Sequence, residues 1–438
     1  MSTTEDLIRA DREHLWHPFT QQASWCDEEL PLVVDRAYET NLYDVEGNAY
    51  IDGVSSLWCN VHGHRHPAID QAIRDQLDRV AHSTMLGLTH EPAIELARRL
   101  AEIAPAGLTR VFYSDSGSTA VEVALKMAYQ WWVQRGEPGR TGFIGLENAY
   151  HGDTLGAVSV GGIETFHSLY RPLLFDTWQA RAGDADHLER LLTEHGDQVA
   201  AVILEPLIQG AAGMLTMPSG FLARTRELCD EHGVLLICDE VATGFGRTGA
   251  MFACQREAVS PDLMCLGKGL TGGYLPLAAT MTTERIYAGF LGRPDELRTF
   301  FHGHTFTGNP LGCAAGIATL ETFEREETVQ RSLAKIELLT RRLHERVAPL
   351  PGVAEIRQCG LMVGIELDPG DAFGNRVTLA ARRRGAVIRP LGDVIVLMPA
   401  PAMSAVDIDR LVAITAAAIA EVVAGEDVGV GRSEATVA

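Results

Sequence analysis

Six short apolar runs punctuate the middle of the chain, at residues 110–113, 142–146, 199–204, 233–238, 262–266 and 277–281. Each is bounded by turn residues or by longer amphipathic stretches, and near-continuous apolar character predicts strands covered on both faces. Strands alternating with helical patterns predict βαβ units and a mostly parallel sheet, an α/β fold. The clearest helix begins after Ser114-Asp115-Ser116-Gly117-Ser118. Thr119 and Glu122 have capping-box spacing, and Val121, Ala124, Leu125, Ala128 and Trp132 follow at helical intervals.

Beyond the charge cluster at 324–327 the pattern changes. A polar helix over 329–347 leads to a strand-like stretch at 360–366, paired runs near 386–389 and 394–398, and a last helix from Ser404. This predicts a smaller α+β unit over 323–425, joined by an N-terminal segment, 1–70, that carries Leu42-Tyr43-Asp44 and Tyr50-Ile51-Asp52. The large unit would occupy 71–322, and the polar, aperiodic residues 426–438 read as a frayed tail. No internal repeat is evident.

Composition narrows the function. The 438 residues carry 37 Lys+Arg against 58 Asp+Glu, a formal net charge of −21. An acidic chain is a poor match for a phosphate backbone, so no nucleic-acid partner is expected. The apolar stretch at 411–424 contains Glu421 and falls short of the roughly 20 residues a membrane span needs, so a buried helix is expected and no membrane association. The first 16 residues are acidic and lack the apolar core of a secretory signal. The eight cysteines are scattered without a C-x-x-C pair, as in a reduced cytoplasmic protein that needs neither bridges nor metal.

Two of the apolar strands end abruptly in chemistry. One runs into Asp239-Glu240, the other into Gly267-Lys268-Gly269. Ligands of open α/β sheets collect outside the carboxyl ends of strands, so Asp239 and Lys268 are candidates to meet one ligand. The chain has only three lysines, Lys126, Lys268 and Lys335. Arginine cannot act as an amine nucleophile, whereas a lysine with a shifted pKa can form an imine. An amine and an acid at neighbouring strand ends suit pyridoxal 5′-phosphate (PLP), whose ring nitrogen needs an acidic partner. A point-charge phosphate contact or an exposed loop cation is the alternative for Lys268.

Further candidates surround this pair. Ser116-Gly117-Ser118 at a helix start offers backbone N–H groups to a phosphate, or is a plain N-cap. Tyr150, in Tyr150-His151-Gly152-Asp153, could stack on a ring. His302-Gly303-His304-Thr305 could complete a phosphate cradle. Two motifs compete with these. Gly244-Phe-Gly246-Arg-Thr-Gly249 fits the dinucleotide pattern, but Glu240 to Thr243 separate it from the strand and no helix start follows. His62, His64 and His66 alternate like metal ligands, but turn histidines held by hydrogen bonds explain them better.

The stretch from Leu235 through Asp239-Glu240 and Arg247 to Lys268-Gly269 resembles the signature of class III PLP-dependent aminotransferases. Within the class, His14-Leu-Trp-His-Pro18, Asp52-Gly-Val-Ser-Ser56, Asp115-Ser-Gly-Ser118, Tyr150-His-Gly-Asp153 and Arg389-Pro390-Leu-Gly resemble the branch serving biotin synthesis. The resemblance implies PLP transferase fold type I, a homodimer with shared active sites, small-molecule substrates and ping-pong transamination. It implies that Lys268 binds the cofactor covalently, that Asp239 pairs with its ring nitrogen, and that Gly117 and Ser118 hold its phosphate. His304 and Thr305 would line the cofactor, with Thr305 coming from the other subunit. Tyr150 would stack near the ring, Gly303 would line the substrate channel, and Arg389 would grip a substrate carboxylate. Phe19, Leu57-Trp58 and His304 are similar to members taking L-lysine as donor rather than those taking S-adenosylmethionine. Another class III ω-amino acid aminotransferase and a non-catalytic PLP-binding regulator are the alternatives.

Overall fold

The computed structural model describes residues 3–27, 31–368 and 373–425. The tail expected at 426–438 lies outside the described residues. At the centre is a seven-stranded sheet with the order Leu108–Ser114, Ala278–Thr283, Leu263–Leu266, Leu235–Asp239, Val199–Leu204, Gly142–Leu146, Trp178–Ala180. Ala278–Thr283 runs antiparallel to both neighbours, and the remaining pairings are parallel. This is the mostly parallel α/β sheet read from the sequence.

Alternation along these strands divides their side chains between two cores. Val202 and Leu204, Leu236 and Cys238, Met264 and Leu266 face one side with Leu96, Leu188 and Leu228. Ala201 and Ile203, Leu235 and Ile237, Leu263 and Cys265 face the other, against Val121, Ala124 and Ala128 of the Gly117–Gln134 helix. Helices thus cover both faces, which is why the strands read as unbroken apolar runs rather than alternating ones.

A separate core gathers Leu339, Val363, Ile365, Val377, Ile395, Leu411 and Ile419, with Ile51 from the N-terminal region. Its helices are Thr328–Arg346, Phe373–Arg383 and Ala405–Val423. The last buries Leu411, Val412 and Val422 and pairs Glu421 with Arg383 at 2.6 Å. No helix among the described residues is long and apolar enough to cross a membrane. The two runs expected to pair do so in part. Arg389–Leu391 pairs with Val394–Leu397, but Ala386–Val387 leaves to extend a second sheet, beside Ala49–Asp52. A local hairpin is the shorter connection, yet Ala386 is fully buried against Ile51, and that burial favours the long-range pairing.

The capping expectation also shifts. The helix begins at Gly117, and its capping box is Ser116 with Thr119: Thr119 N–H donates to Ser116 Oγ at 3.3 Å, and Ser116 N–H donates to Thr119 Oγ1 at 2.9 Å. Glu122 instead accepts the N–H groups of Gly156 and Ala157, at 2.7 and 3.2 Å, at the start of the Leu155–Val160 helix.

Candidate active site

Asp239 stands opposite Cys265 in the parallel pairing of its strand with Leu263–Leu266, so Asp239 and Lys268 leave the sheet at the same end of adjacent strands. Asp239 is buried; its Oδ1 accepts Val241 N–H at 3.0 Å and its Oδ2 lies 2.7 Å from His151 Nδ1. The His151 ring is wholly enclosed, and its Nε2 has no partner among the described residues. A proton on Nδ1 is the arrangement that satisfies this carboxylate.

Lys268 begins a short 3-10 turn, Lys268–Thr271, with φ +44, a left-handed conformation uncommon outside glycine. Its Nζ forms no hydrogen bond among the described residues and sits 4.9 Å from the Trp58 ring centroid. Burial holds the ammonium below the ordinary lysine value, against the opposing pull of Asp239 and Glu205. An amine so placed loses its proton more readily than one in water and has no acceptor to surrender before reacting.

Glu205 directly follows the Val199–Leu204 strand, the other neighbour of Leu235–Asp239. Its carboxyl accepts Gly210 N–H at 3.0 Å and Tyr150 N–H at 3.2 Å. Burial first, and then the negative charge of Asp239, push its pKa up to about 7, while His151 and the two N–H groups pull the other way. Sequence reading passed over Glu205, although it obeys the criterion that selected Asp239: an apolar strand ending in a charge. His151 follows Tyr150 in the chain, where no local pattern marks it as a partner of Asp239.

A narrow cradle opens at the Gly117–Gln134 helix start. With Ser116 capping Thr119, no other part of the described chain accepts from the N–H groups of Gly117 and Ser118. A side chain at Gly117 would place its Cβ 2.5 Å from Val241 Cγ1, and one at Gly152 would lie 2.5 Å from Ser118. Gly267 borders the same space, its hypothetical Cβ 3.3 Å from Gly117 Cα. Ser118 Oγ and Thr154 Oγ1, 2.7 Å apart, tie the cradle to the next helix. Free N–H groups at the positive end of an 18-residue helix suit a phosphate. Amine, acid and anion cradle share one face, and together they fit PLP.

Around this face stand the remaining candidates. Tyr150 donates its hydroxyl to Asp153 at 2.7 Å, and its ring lies 6.4 Å from Phe166, which in turn lies 5.5 Å from Phe19. Phe166, which has no sequence signal, links Tyr150 to Phe19. Arg389 is partly buried next to Tyr150; burial lowers its pKa, and it has no ion-pair partner among the described residues. Trp58 is buried with its indole N–H unpartnered, whereas Leu57 is exposed. Gly303 and Thr305 are exposed and form no hydrogen bond to the Lys268 group. His304 is held by its own neighbours, 3.3 Å from His302 between ring nitrogens and 3.9 Å from Asp115.

The competing motifs resolve differently. Residues 244–249 form turns, and Arg247 among them is buried, donating to Ser55 Oγ, Pro399 O and Asn60 O at 3.1, 3.1 and 2.7 Å. No helix opens there to receive a dinucleotide phosphate. Each alternating histidine has its own partner: His62 meets Thr319 O, His64 meets Asp52 and His66 meets Glu326. Among the described residues no cluster of His, Cys, Asp and Glu could hold a metal ion.

A mostly parallel α/β sheet with a lysine and an acid at adjacent strand ends, beside a phosphate cradle, defines a PLP-dependent transferase of fold type I. Comparison with known proteins narrows the class: residues 23–419 match the family described as Aminotransferase class-III, and the chain belongs to it. It is therefore a PLP-dependent aminotransferase. The "Adenosylmethionine-8-amino-7-oxononanoate aminotransferase" of Nitratidesulfovibrio vulgaris is 54% identical over 94% of this chain and 81% of that protein. A crystal structure of the protein of that name from Methanocaldococcus jannaschii has a TM-score of 0.94 and 44% identity, covering 96% of this chain and 99% of the other. An amine transaminase from an uncultivated Pseudomonas species, solved in its PLP-bound form, has a TM-score of 0.87 and 35% identity over 93% and 98% of the two chains.

Proposed function

We propose that the chain aminates the ketone of 8-amino-7-oxononanoate to give 7,8-diaminononanoate, a step of biotin synthesis. The observation that carries the chemistry is the Lys268 amine, desolvated and without an acceptor, at the strand end next to Asp239. The acceptor rests on the names of relatives that match nearly the whole chain.

Bound at this face, PLP supplies an aldehyde carbon that condenses with amines and a ring that takes up the electron pair left when a substrate carbon loses its proton. The chain's own residues do the rest. The N–H groups of Gly117 and Ser118 would hold the phosphate. Asp239 would keep a proton on the ring nitrogen, with His151 Nδ1, 2.7 Å away, keeping that carboxylate in place. Lys268 Nζ would hold the aldehyde covalently, and as a free amine it would move a proton at the substrate carbon, a task its lowered pKa favours. Tyr150 would stack near the ring, and Arg389 would take the substrate carboxylate in a bidentate pair. The first product leaves before the acceptor enters, and the same groups act in reverse.

The reading includes a homodimer in the cytoplasm. Thr305 is exposed and forms no hydrogen bond among the described residues, which leaves its hydroxyl available to the cradle of a second copy. L-Lysine is the donor favoured by Phe19, Leu57, Trp58 and His304. S-Adenosylmethionine, which appears in the relatives' names, is the competing donor. Mixing PLP-loaded enzyme with each donor alone decides between them. Lysine is expected to bleach the cofactor's visible absorbance; bleaching by S-adenosylmethionine alone rejects it. Failure to aminate 8-amino-7-oxononanoate with either donor would instead favour another ω-amino acid substrate.

A further inference from the structure

The turn that carries Trp58 is strained. Ser55, Ser56 and Trp58 all have positive φ, at +52, +61 and +62, and Ser56 combines its φ with ψ −91. Such conformations are costly for residues with a Cβ, and they persist only where the surroundings hold them. Here the result is specific. The Trp58 ring is delivered to 4.9 Å from Lys268 Nζ, with its indole N–H buried and unpaired among the described residues.

The restraint comes from a buried polar clamp that the chemistry above does not use. Asp52, with its side chain 2% exposed, accepts Ser56 N–H through both carboxylate oxygens at 2.8 Å. His64 Nε2 lies 2.9 Å from Asp52 Oδ2, and its Nδ1 lies 3.3 Å from Asn60 Nδ2. Asn60 in turn accepts Gly63 N–H at 2.8 Å, closing the loop from which His64 projects. On the other side, Arg247 joins Ser55 Oγ to Asn60 O, and Ser55 Oγ donates to Met398 O at 2.7 Å. Both edges of the strained turn are gripped, one through a carboxylate–imidazole pair and one through a guanidinium.

We propose that Asp52 and His64 are positioning residues for substrate selection: they hold the 55–58 turn so that the free indole N–H of Trp58 is offered to a polar substrate group beside Lys268. His64 touches no reacting atom and acts only through Asp52, Ser56 and Trp58. The inference rests on Trp58 lining the substrate space, so its test must separate the two ideas.

The test uses PLP-loaded Trp58→Phe, His64→Ala, His64→Gln and the double variant Trp58→Phe/His64→Ala. For each, KM and kcat are measured with whichever donor and acceptor the wild type turns over, and the bound cofactor is followed by its absorbance. His64→Ala is expected to raise KM by roughly fivefold or more, with a smaller change in kcat and an unaltered cofactor band. His64→Gln, whose amide can still donate to Asp52, is expected to return KM to within about twofold of wild type. Coupling through Trp58 predicts that His64→Ala adds little to Trp58→Phe. Additive effects, an unchanged KM in His64→Ala, or cofactor loss that His64→Gln does not reverse would overturn the clamp. An unchanged KM in Trp58→Phe would overturn the placement of Trp58 itself. If His64→Ala does not fold, Asp52→Asn, which weakens the same hydrogen bonds, is read by the same criteria.

Discussion

Around Lys268, Asp239 and Glu205 the side chains hang from the ends of fully buried strands, whereas around Phe19, Leu57 and Gly303 they ride on loops open to solvent. In the first region the backbone is fixed by hydrogen bonds to strands on both sides, and desolvation tunes the charges. In the second, order depends on local clamps such as Asp52 with His64. The difference teaches a division of labour within the proposed function: burial at the sheet would set reactivity, and the rim would set discrimination. Elements at the sheet can move little without unpairing a strand, so the rim is the part free to vary with substrate.

Three changes break or sharpen that contrast. Lys268→Arg keeps the charge but removes the amine, and turnover is expected to fall by about 10³-fold. Borohydride reduction followed by peptide mapping should then find no cofactor on that peptide; turnover close to wild type would remove the sheet from the chemistry.

Glu205 tests the effect of burial on charge. Its folded-state pKa of about 7 lies above the ordinary 4.5, so the folded chain holds the proton more tightly than the unfolded one. The stability this contributes is fully present below about pH 4.5 and is lost as pH rises through about 7, a change on the order of 3 kcal/mol. In cofactor-free protein, Glu205→Gln should remove that part of the pH dependence. Urea midpoints compared at pH 5 and pH 8 read it directly, and parallel profiles for the two proteins would refute it.

Arg389 is expected to show the smallest effect, because its proposed role is in binding. Arg389→Lys keeps a cation and loses the two-pronged contact, so KM for the carboxylate substrate should rise by about tenfold with kcat little altered. A fall in kcat with KM unchanged would move Arg389 from the rim's task to the sheet's.

Legibility followed the same division. Residues 142–146 and 199–204 were found to the residue, because strands covered on both faces leave continuous apolar runs. Glu205 was as readable as Asp239, since both close such a run. Phe166 was not: an aromatic ring in the short Glu164–His167 helix has no periodic context, and only proximity to Tyr150 and Phe19 gives it meaning. The capping box was displaced by one turn because Ser116–Thr119 and Thr119–Glu122 share the same spacing. Tertiary structure chose between them by sending Glu122 to Gly156.

From the chain alone came the parallel sheet, the lysine and acid at strand ends and the glycines at the helix start, because burial, turn geometry and amine chemistry each restrict the residue types that serve. Strand adjacency, the His151–Asp239 and Asp52–His64 pairs and the strained turn under Trp58 came from the fold. These depend on which distant segments share a backbone ladder or a buried pocket, and that is decided by the packing of the whole chain rather than by any local pattern.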